Sequence, residues 1–287
     1  MLFSHHEPLD REKHAGLRFS PRQTWQFAAE ELRIPVVSGE ALLLAREYVL
    51  AFPLAEGGLP HALTGIRTNT YVNAKGQWNA RQVPVHVRRY PFVLAEHPAT
   101  AQSSETRRDF TLHVVPQAPH FAAGKGVALF GASGAPAPVL EEVQKLLVRL
   151  HADTELTQFL VQQLREAGLL VERELRLQAA AGGPVAVVQG QALVDEQALA
   201  ALSPEVLLRL RDTGALALVH AHRVSLTNLV DSRWACVFAD QPVGASHAPL
   251  PAASALRSAL AGLSTRPKVD APADAAGRLR AVLAGKK

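Results

Sequence analysis

Cysteine is nearly absent. Cys236 is the single one in 287 residues. No intramolecular disulfide can form, and a metal cluster built on several thiolates is excluded. Such usage fits a reducing compartment. Long apolar runs are missing too. None reaches the ~18–20 residues that a bilayer-spanning helix needs. The longest apolar pattern, Ala215 to Val219, meets His220 at once. The opening stretch MLFSHHEPLDREKHAGLRF lacks a basic region followed by an apolar run and a small-residue cleavage site. No secretory signal is therefore read, and a cytoplasmic location without a membrane span is expected. Charge of one sign is not in excess: 30 Lys and Arg against 26 Asp and Glu leave a formal charge of +4. With Arg and Glu interspersed, this is not a nucleic-acid footprint. Aromatic residues make up only 6%, so the positions of Trp25, Trp78, Tyr71 and Tyr90 carry information.

Recognised catalytic motifs are also lacking. No G-x-S-x-G is present, and Cys236 has no surrounding motif. The segments Gly124-Lys125-Gly126 and Gly131-Ala132-Ser133-Gly134 contain glycines but match neither a P-loop nor a dinucleotide fingerprint, and they read as turns.

What is present points to an α+β fold. Residues 1–24 read as an irregular leader, with a short helix starting near Ser20-Pro21 or Thr24 and running to Glu31. Residues 25–137 read as β-rich. Pro35-Val36-Val37 is extended, and the apolar run from Glu40 to Leu54 fits a strand or a short helix followed by a strand. Ala62–Ile66 and Asn69–Val72 read as strands. Asn73-Ala74-Lys75-Gly76 then turns the chain so that Gln77-Trp78-Asn79 pairs back. Val83, Val85 and Val87 fit an edge strand or a helix begun at Pro84, either one ending near Tyr90 because Pro91 disfavours helical geometry before it. Phe92–Ala95, Phe110–Val115 and Val127–Phe130 are expected strands, the first two separated by the polar loop Glu96–Asp109.

Residues 138–238 read as helical with one β-hairpin. Val139, Val143, Leu146, Leu147 and Leu150 recur at helical spacing. Asp153 or Thr154 is expected to cap a second helix through Ala167, which stops at Gly168. Leu169–Gln178 and Val185–Val194 flank Gly182-Gly183-Pro184 as a hairpin. Asp195 caps a short helix to Ala201, and Ser203-Pro204-Glu205 starts the next, ended by Gly214. Ala215–Asp231 carries Val219, His222, Leu226 and Leu229 as one buried stripe. Residues 239–287 form an Ala/Pro-rich tail of linker composition.

An ordered series of residues now stands out. It runs from Trp25-Gln26-Phe27-Ala28 through Pro35-Val36, Glu40 and Phe52-Pro53. Gly65, Asn69, Gly76-x-Trp78, Pro84 and Arg88-Arg89-Tyr90-Pro91-Phe92 follow. It ends with Leu129-Phe130, Gly134, Asp195-Glu196, Leu202-Ser203, Gly214-Ala215-Leu216, His220-Ala221-His222 and Asn228. From Trp25 to Leu229 the chain resembles the SapC family of bacterial proteins. The family takes its name from association with a bacterial surface layer. Related genes often lie beside genes for outer-membrane receptors, JmjC-like cupins and flavin-halogenase-like proteins. The resemblance implies an accessory or binding role, with a protein or peptide partner such as a JmjC-like cupin or a receptor-associated protein. No cofactor is expected. The chain departs from the family pattern at Leu112-His113-Val114-Val115-Pro116, where an acidic segment is usual.

Six residues are the candidates for binding: Asn69, Trp78, Arg88, Arg89, Tyr90 and His222. Guanidinium groups and a phenol at Arg88-Arg89-Tyr90 suit a carboxylate or phosphate. The competing reading pairs one Arg with a carboxylate such as Glu40 and packs Tyr90. Trp78, with Trp25, suits a peptide or sugar groove, or core packing with its N–H bonded. His220 and His222 invite a metal, but on a helix they lie about 200° apart, whereas helical zinc pairs use i,i+4 spacing. His222 is therefore expected as a buried histidine with Ser225 and Asn228 as partners, and no metal or catalytic residue is assigned. The alternative function is an enzyme or oxygenase-associated subunit, with a polar pocket built from all six candidates. Ala215–Leu226 is too apolar to read DNA as a helix-turn-helix.

Overall fold

The computed structural model describes residues 2–21, 24–96, 110–121, 126–178 and 185–230. These residues fall in one compact unit, Met1–Ala248. The expected loop 97–109, the hairpin tip 179–184, Gly124-Lys125, Cys236 and the tail lie outside them.

The N-terminal stretch is not a detached leader. β1 (Glu7–Pro8) and β2 (Arg18–Phe19) bracket a turn that Asp10 organises. The Asp10 carboxylate accepts from the N–H groups of Glu12 and Lys13 at 2.8 and 2.7 Å. His14, buried, accepts from the Asp10 N–H at Nδ1 and reaches Glu7 Oε1 through Nε2, both at 2.9 Å. The expected helix to Glu31 shrinks to the 3-10 turn Trp25–Ala28. Its backbone groups are taken by distant partners: the Trp25 N–H donates to Gly76 O, and Ala29 O accepts from the Asn69 N–H.

β3 (Arg33–Pro35), β4 (Val49–Ala51) and β5 (His61–Leu63) form an antiparallel sheet in the order β3–β5–β4. Between β3 and β4, α1 (Ser38–Leu44) settles the ambiguous apolar run as helix then strand. The strand expected at Asn69–Val72 is reduced to the single bridge Val72↔Trp78. The Asn69 side chain accepts from the Tyr71 N–H and so bends the chain there. The following turn forms as expected, with Asn73 Oδ1 accepting from the N–H groups of Lys75 and Gln77. Gly76 sits at φ +70°, a conformation that favours glycine.

Val85 and Val87 belong to a helix, not an edge strand, and Val83 precedes its N-cap Pro84: α2 (Val85–Arg88) is one turn long. The chain then passes a cis Tyr90–Pro91 peptide into β6 (Phe92–Glu96) and β7 (Phe110–Val114). β7 takes the centre of a sheet ordered β1–β7–β6. β8 (Val127–Ala128), shorter than expected, pairs with β2.

α3 (Pro138–Glu166) is one 29-residue helix where two were expected. Asp153 and Thr154 do not start a second helix. The Thr154 hydroxyl bonds Leu150 O, and the Thr157 hydroxyl bonds Asp153 O, so the hydroxyls fold back onto the preceding turn and the helix continues. Thr157 Oγ1 also accepts from the Ser38 N–H at 2.8 Å, joining α3 to the start of α1.

The hairpin has two tiers: β9 (Leu170–Glu172) pairs with β12 (Ala192–Val194), and β10 (Leu175–Gln178) pairs with β11 (Val185–Val188). Then follow α4 (Glu196–Ala200), α5 (Pro204–Thr213) and α6 (Ala215–Ser225), continued by a 3-10 segment Leu226–Val230. The Asp195 and Ser203 side chains cap α4 and α5, and Gly214 at φ +87° turns the chain between α5 and α6. The main core mixes both halves. Tyr48, Phe52 and Tyr71 pack with Leu160, Leu164, Val194, Leu210 and Leu218. A second cluster joins Tyr90, Phe92 and Val114 to Leu140 and Leu147, and Leu2, Phe3, Leu9, Leu17 and Phe19 pack against it.

Candidate functional site

Three of the six candidate residues are spent on holding the fold. Asn69 is buried. Its Nδ2 donates to Ala28 O at 3.0 Å and its Oδ1 accepts from the Tyr71 N–H. Trp78 donates from its indole N–H to Tyr48 Oη at 2.7 Å and meets Trp25 edge-on with ring centroids 5.8 Å apart. His222 is 1% exposed. Its Nδ1 donates to Leu50 O at 2.8 Å, and its Nε2 accepts from the Val194 N–H at 3.3 Å. That pattern requires a neutral ring, and burial pushes its pKa down to about 4. The expected partners Ser225 and Asn228 serve elsewhere. Ser225 Oγ donates to the His222 carbonyl, and Asn228 Nδ2 donates to Ala45 O and Tyr48 O.

Arg88, Arg89 and Tyr90 leave the end of α2 in different directions, since successive helical residues lie about 100° apart. Arg88 is exposed. Its Nε donates to Val83 O at 3.0 Å, and its Nη2 lies 4.0 Å from Glu40 Oε2. Glu40 Oε2 also accepts from the Val85 N–H at 3.0 Å, while its Oε1 is buried without a partner. Burial pushes the Glu40 carboxyl up to about 7. The expected pairing of one Arg with Glu40 is therefore present as a contact.

Arg89 lays its guanidinium over the Phe3 ring, Cζ 4.3 Å from the centroid. Its Nε is buried without a hydrogen-bond partner, and burial lowers its pKa to about 10, so it stays charged at neutral pH. The two guanidinium groups thus make separate contacts, and no anion-gripping pair of Arg88 and Arg89 is formed.

Tyr90 is 8% exposed. Its ring stacks on Phe27 at 4.5 Å and lies 5.6 Å from Phe3 and 5.4 Å from His120. Its hydroxyl makes no hydrogen bond among the described residues. Burial raises its pKa, so the phenol remains protonated.

Among the six candidates, Tyr90 lines an open cleft of about 650 Å³. Phe27 and Tyr90 supply its aromatic surface. Glu30 and Glu31 lie just past the 3-10 turn, His5 comes from the N-terminal stretch, and Gln117 follows β7. Tyr90 is placed by the end of α2, and Phe27 by the bonds that Trp25 and Ala29 make to Gly76 and Asn69. Leu2 and Ser4 belong to the same wall, held near the sheet by the pairing of β1 with β7. No Lys or Arg lines the cleft among the described residues.

The expected polar pocket built from all six candidates is not formed. Asn69, Trp78 and His222 sit in packing layers, and only Tyr90 reaches the cleft. Sequence reasoning missed Glu30, His5 and Gln117. For the N-terminal wall the signal was available in Leu2, Phe3, Leu9, Leu17 and Phe19, which are too apolar for a solvated leader. Among the described residues no group of His, Cys, Asp and Glu is placed to hold a metal ion, and no helix is long and apolar enough to cross a membrane.

The family model described as SapC fits residues 9–231. No curated protein and no solved structure matches the chain.

Proposed function

Because the chain belongs to the SapC family, we propose that it is an accessory or binding protein that recognises a protein or peptide partner through the cleft at Tyr90. The observation that supports this reading is the open cleft itself, which among the six candidates Tyr90 lines, with Phe27 stacked on its ring. The cleft volume is in the range of ordinary recognition sites, about 300–1,000 Å³. The natural setting for such a role is the surface-layer or outer-membrane receptor systems with which the family is associated. The partner would be a receptor-associated protein or JmjC-like cupin, met in the cytoplasm.

The test is affinity capture from a bacterium that encodes the protein, read by mass spectrometry. Gln117 is exposed on the rim, so Gln117→Trp narrows the cleft without touching the core. A partner chain enriched by the wild type and lost with Gln117→Trp is expected. A strictly monomeric protein with no specific co-purifying chain overturns the reading.

A further inference from the structure

Resting on that reading, we propose that the Tyr90 cleft takes a cationic side chain of the partner, an arginine or lysine. The first ground is charge. Glu30 lies on the rim, exposed and in no ion pair among the described residues, with the Glu31 carboxylate next in the chain. Among the described residues no lysine or arginine lines the cleft itself. A carboxylate or phosphate ligand would meet the Glu30 charge, which no ion pair among the described residues neutralises.

The second ground is the Tyr90 side chain. It is more than nine-tenths buried, yet its hydroxyl is unpartnered and is not among the fully enclosed polar atoms that lack a bond. The oxygen is therefore not fully enclosed, and the residue that carries it lines the cleft. A phenol oxygen there can accept from an ammonium or guanidinium N–H.

The third ground is the aromatic wall. The stacked rings of Phe27 and Tyr90 suit the apolar stem of a long cationic side chain, which packs on apolar surface while its head stays polar. The protein itself shows this chemistry next door, where the Arg89 guanidinium rests on Phe3, the ring adjacent to Tyr90. Gln117 adds an amide able to pair with the flanking peptide backbone.

The experiment is an NMR titration of the full chain with Nα-acetyl-arginine amide, and with Nα-acetyl-glutamate amide as the anionic counterpart. The arginine probe is expected to shift the Tyr90 and Phe27 ring signals saturably. Its affinity should fall about threefold in Glu30→Gln and again in added salt, as for an exposed charge pair. The glutamate probe should leave the signals in place. Equal response to both probes, no saturable shift, or unchanged affinity in a folded Glu30→Gln overturns the proposal. If partner capture is sensitive to Gln117→Trp but the arginine probe does nothing, partner recognition stands and the cationic occupant is rejected. If the arginine probe binds but no partner is captured, partner recognition is rejected while the cation site stands.

Discussion

Glu40 shows how one residue can be both legible and misleading. Its pairing with a neighbouring arginine could be anticipated, because a carboxylate near a core edge needs a counter-charge. What sequence could not show is that Arg88 stays 4.0 Å away and that Oε1 is left buried with no donor. The folded carboxyl therefore titrates near 7, above its ordinary value of 4.5. The folded state binds this proton more tightly than the unfolded state. The associated stability is present below pH 4.5 and is lost as pH rises through about 7. Glu40→Gln keeps an oxygen for the Val85 N–H and removes the buried charge. Denaturant unfolding at pH 8 should show this variant more stable by about 2 kcal/mol, the gain vanishing at pH 4.5. Asn69 and Trp78 teach the converse. A polar side chain bonded inside a core and one offered to a ligand look alike in a sequence, because the difference lies only in where distant carbonyls and hydroxyls end up.

Elements were legible where their signals are local. Ser203 before Pro204, Asp195, and the glycines at 168 and 214 mark helix ends through chemistry contained within a few residues, and the structure places the ends there. The Asn73–Gly76 turn was read by the same means. Elements were misjudged where a distant group decides. Thr154 looked like a cap, but inside a continuing helix its hydroxyl found Leu150 O instead. The short helix expected before Glu31 gave way because Gly76 and Asn69 claim its backbone groups. Gly76 also carries a steric demand that its φ of +70° alone does not convey, because an added Cβ would lie 2.6 Å from Thr24 Cβ. Gly57 has a similar φ of +68° but open space around it. Gly57→Ala should therefore cost about 1 kcal/mol and Gly76→Ala about 2–3 kcal/mol, measured by the same unfolding assay. Equal costs would show that the Thr24 contact yields freely.

At the scale of the whole molecule, the α+β class was legible because it rests on periodicity and composition. Packing of the two halves on one core was within reach of the sequence, but the residues that meet there were not, since they depend on which strands meet α3 and α6. Burial across that core and its neighbours also sets an acid response. His61, His86, His120 and His222 are pushed down to about 4, 3, 4 and 4 from an ordinary 6.5, in each case chiefly by loss of water. A base whose folded pKa is depressed contributes stability that is full above pH 6.5 and is lost as pH falls through about 4. Four such rings oppose the single Glu40 carboxyl in the overlapping range, so unfolding midpoints should decline from pH 6.5 to pH 4. His120→Phe, in a site already walled by Phe19, Phe27 and Tyr90, should flatten that decline and remove the orphaned Nδ1. An unchanged slope in His120→Phe would assign the acid response to the other three rings.

The pairing of β1 with β7 also has a meaning in time. Ribosomes deliver the N-terminal residues first, yet His113 lies 107 positions after His6, its ring neighbour across the sheet. At about 5–20 residues per second of synthesis, the first strand waits roughly 5–20 s for its partner. Throughout that interval Leu2, Phe3, Leu9, Leu17 and Phe19 have no core to enter, because the cluster they join is completed by Leu140 and Leu147. The Leu2–His5 wall of the cleft is therefore among the last surfaces to come into being.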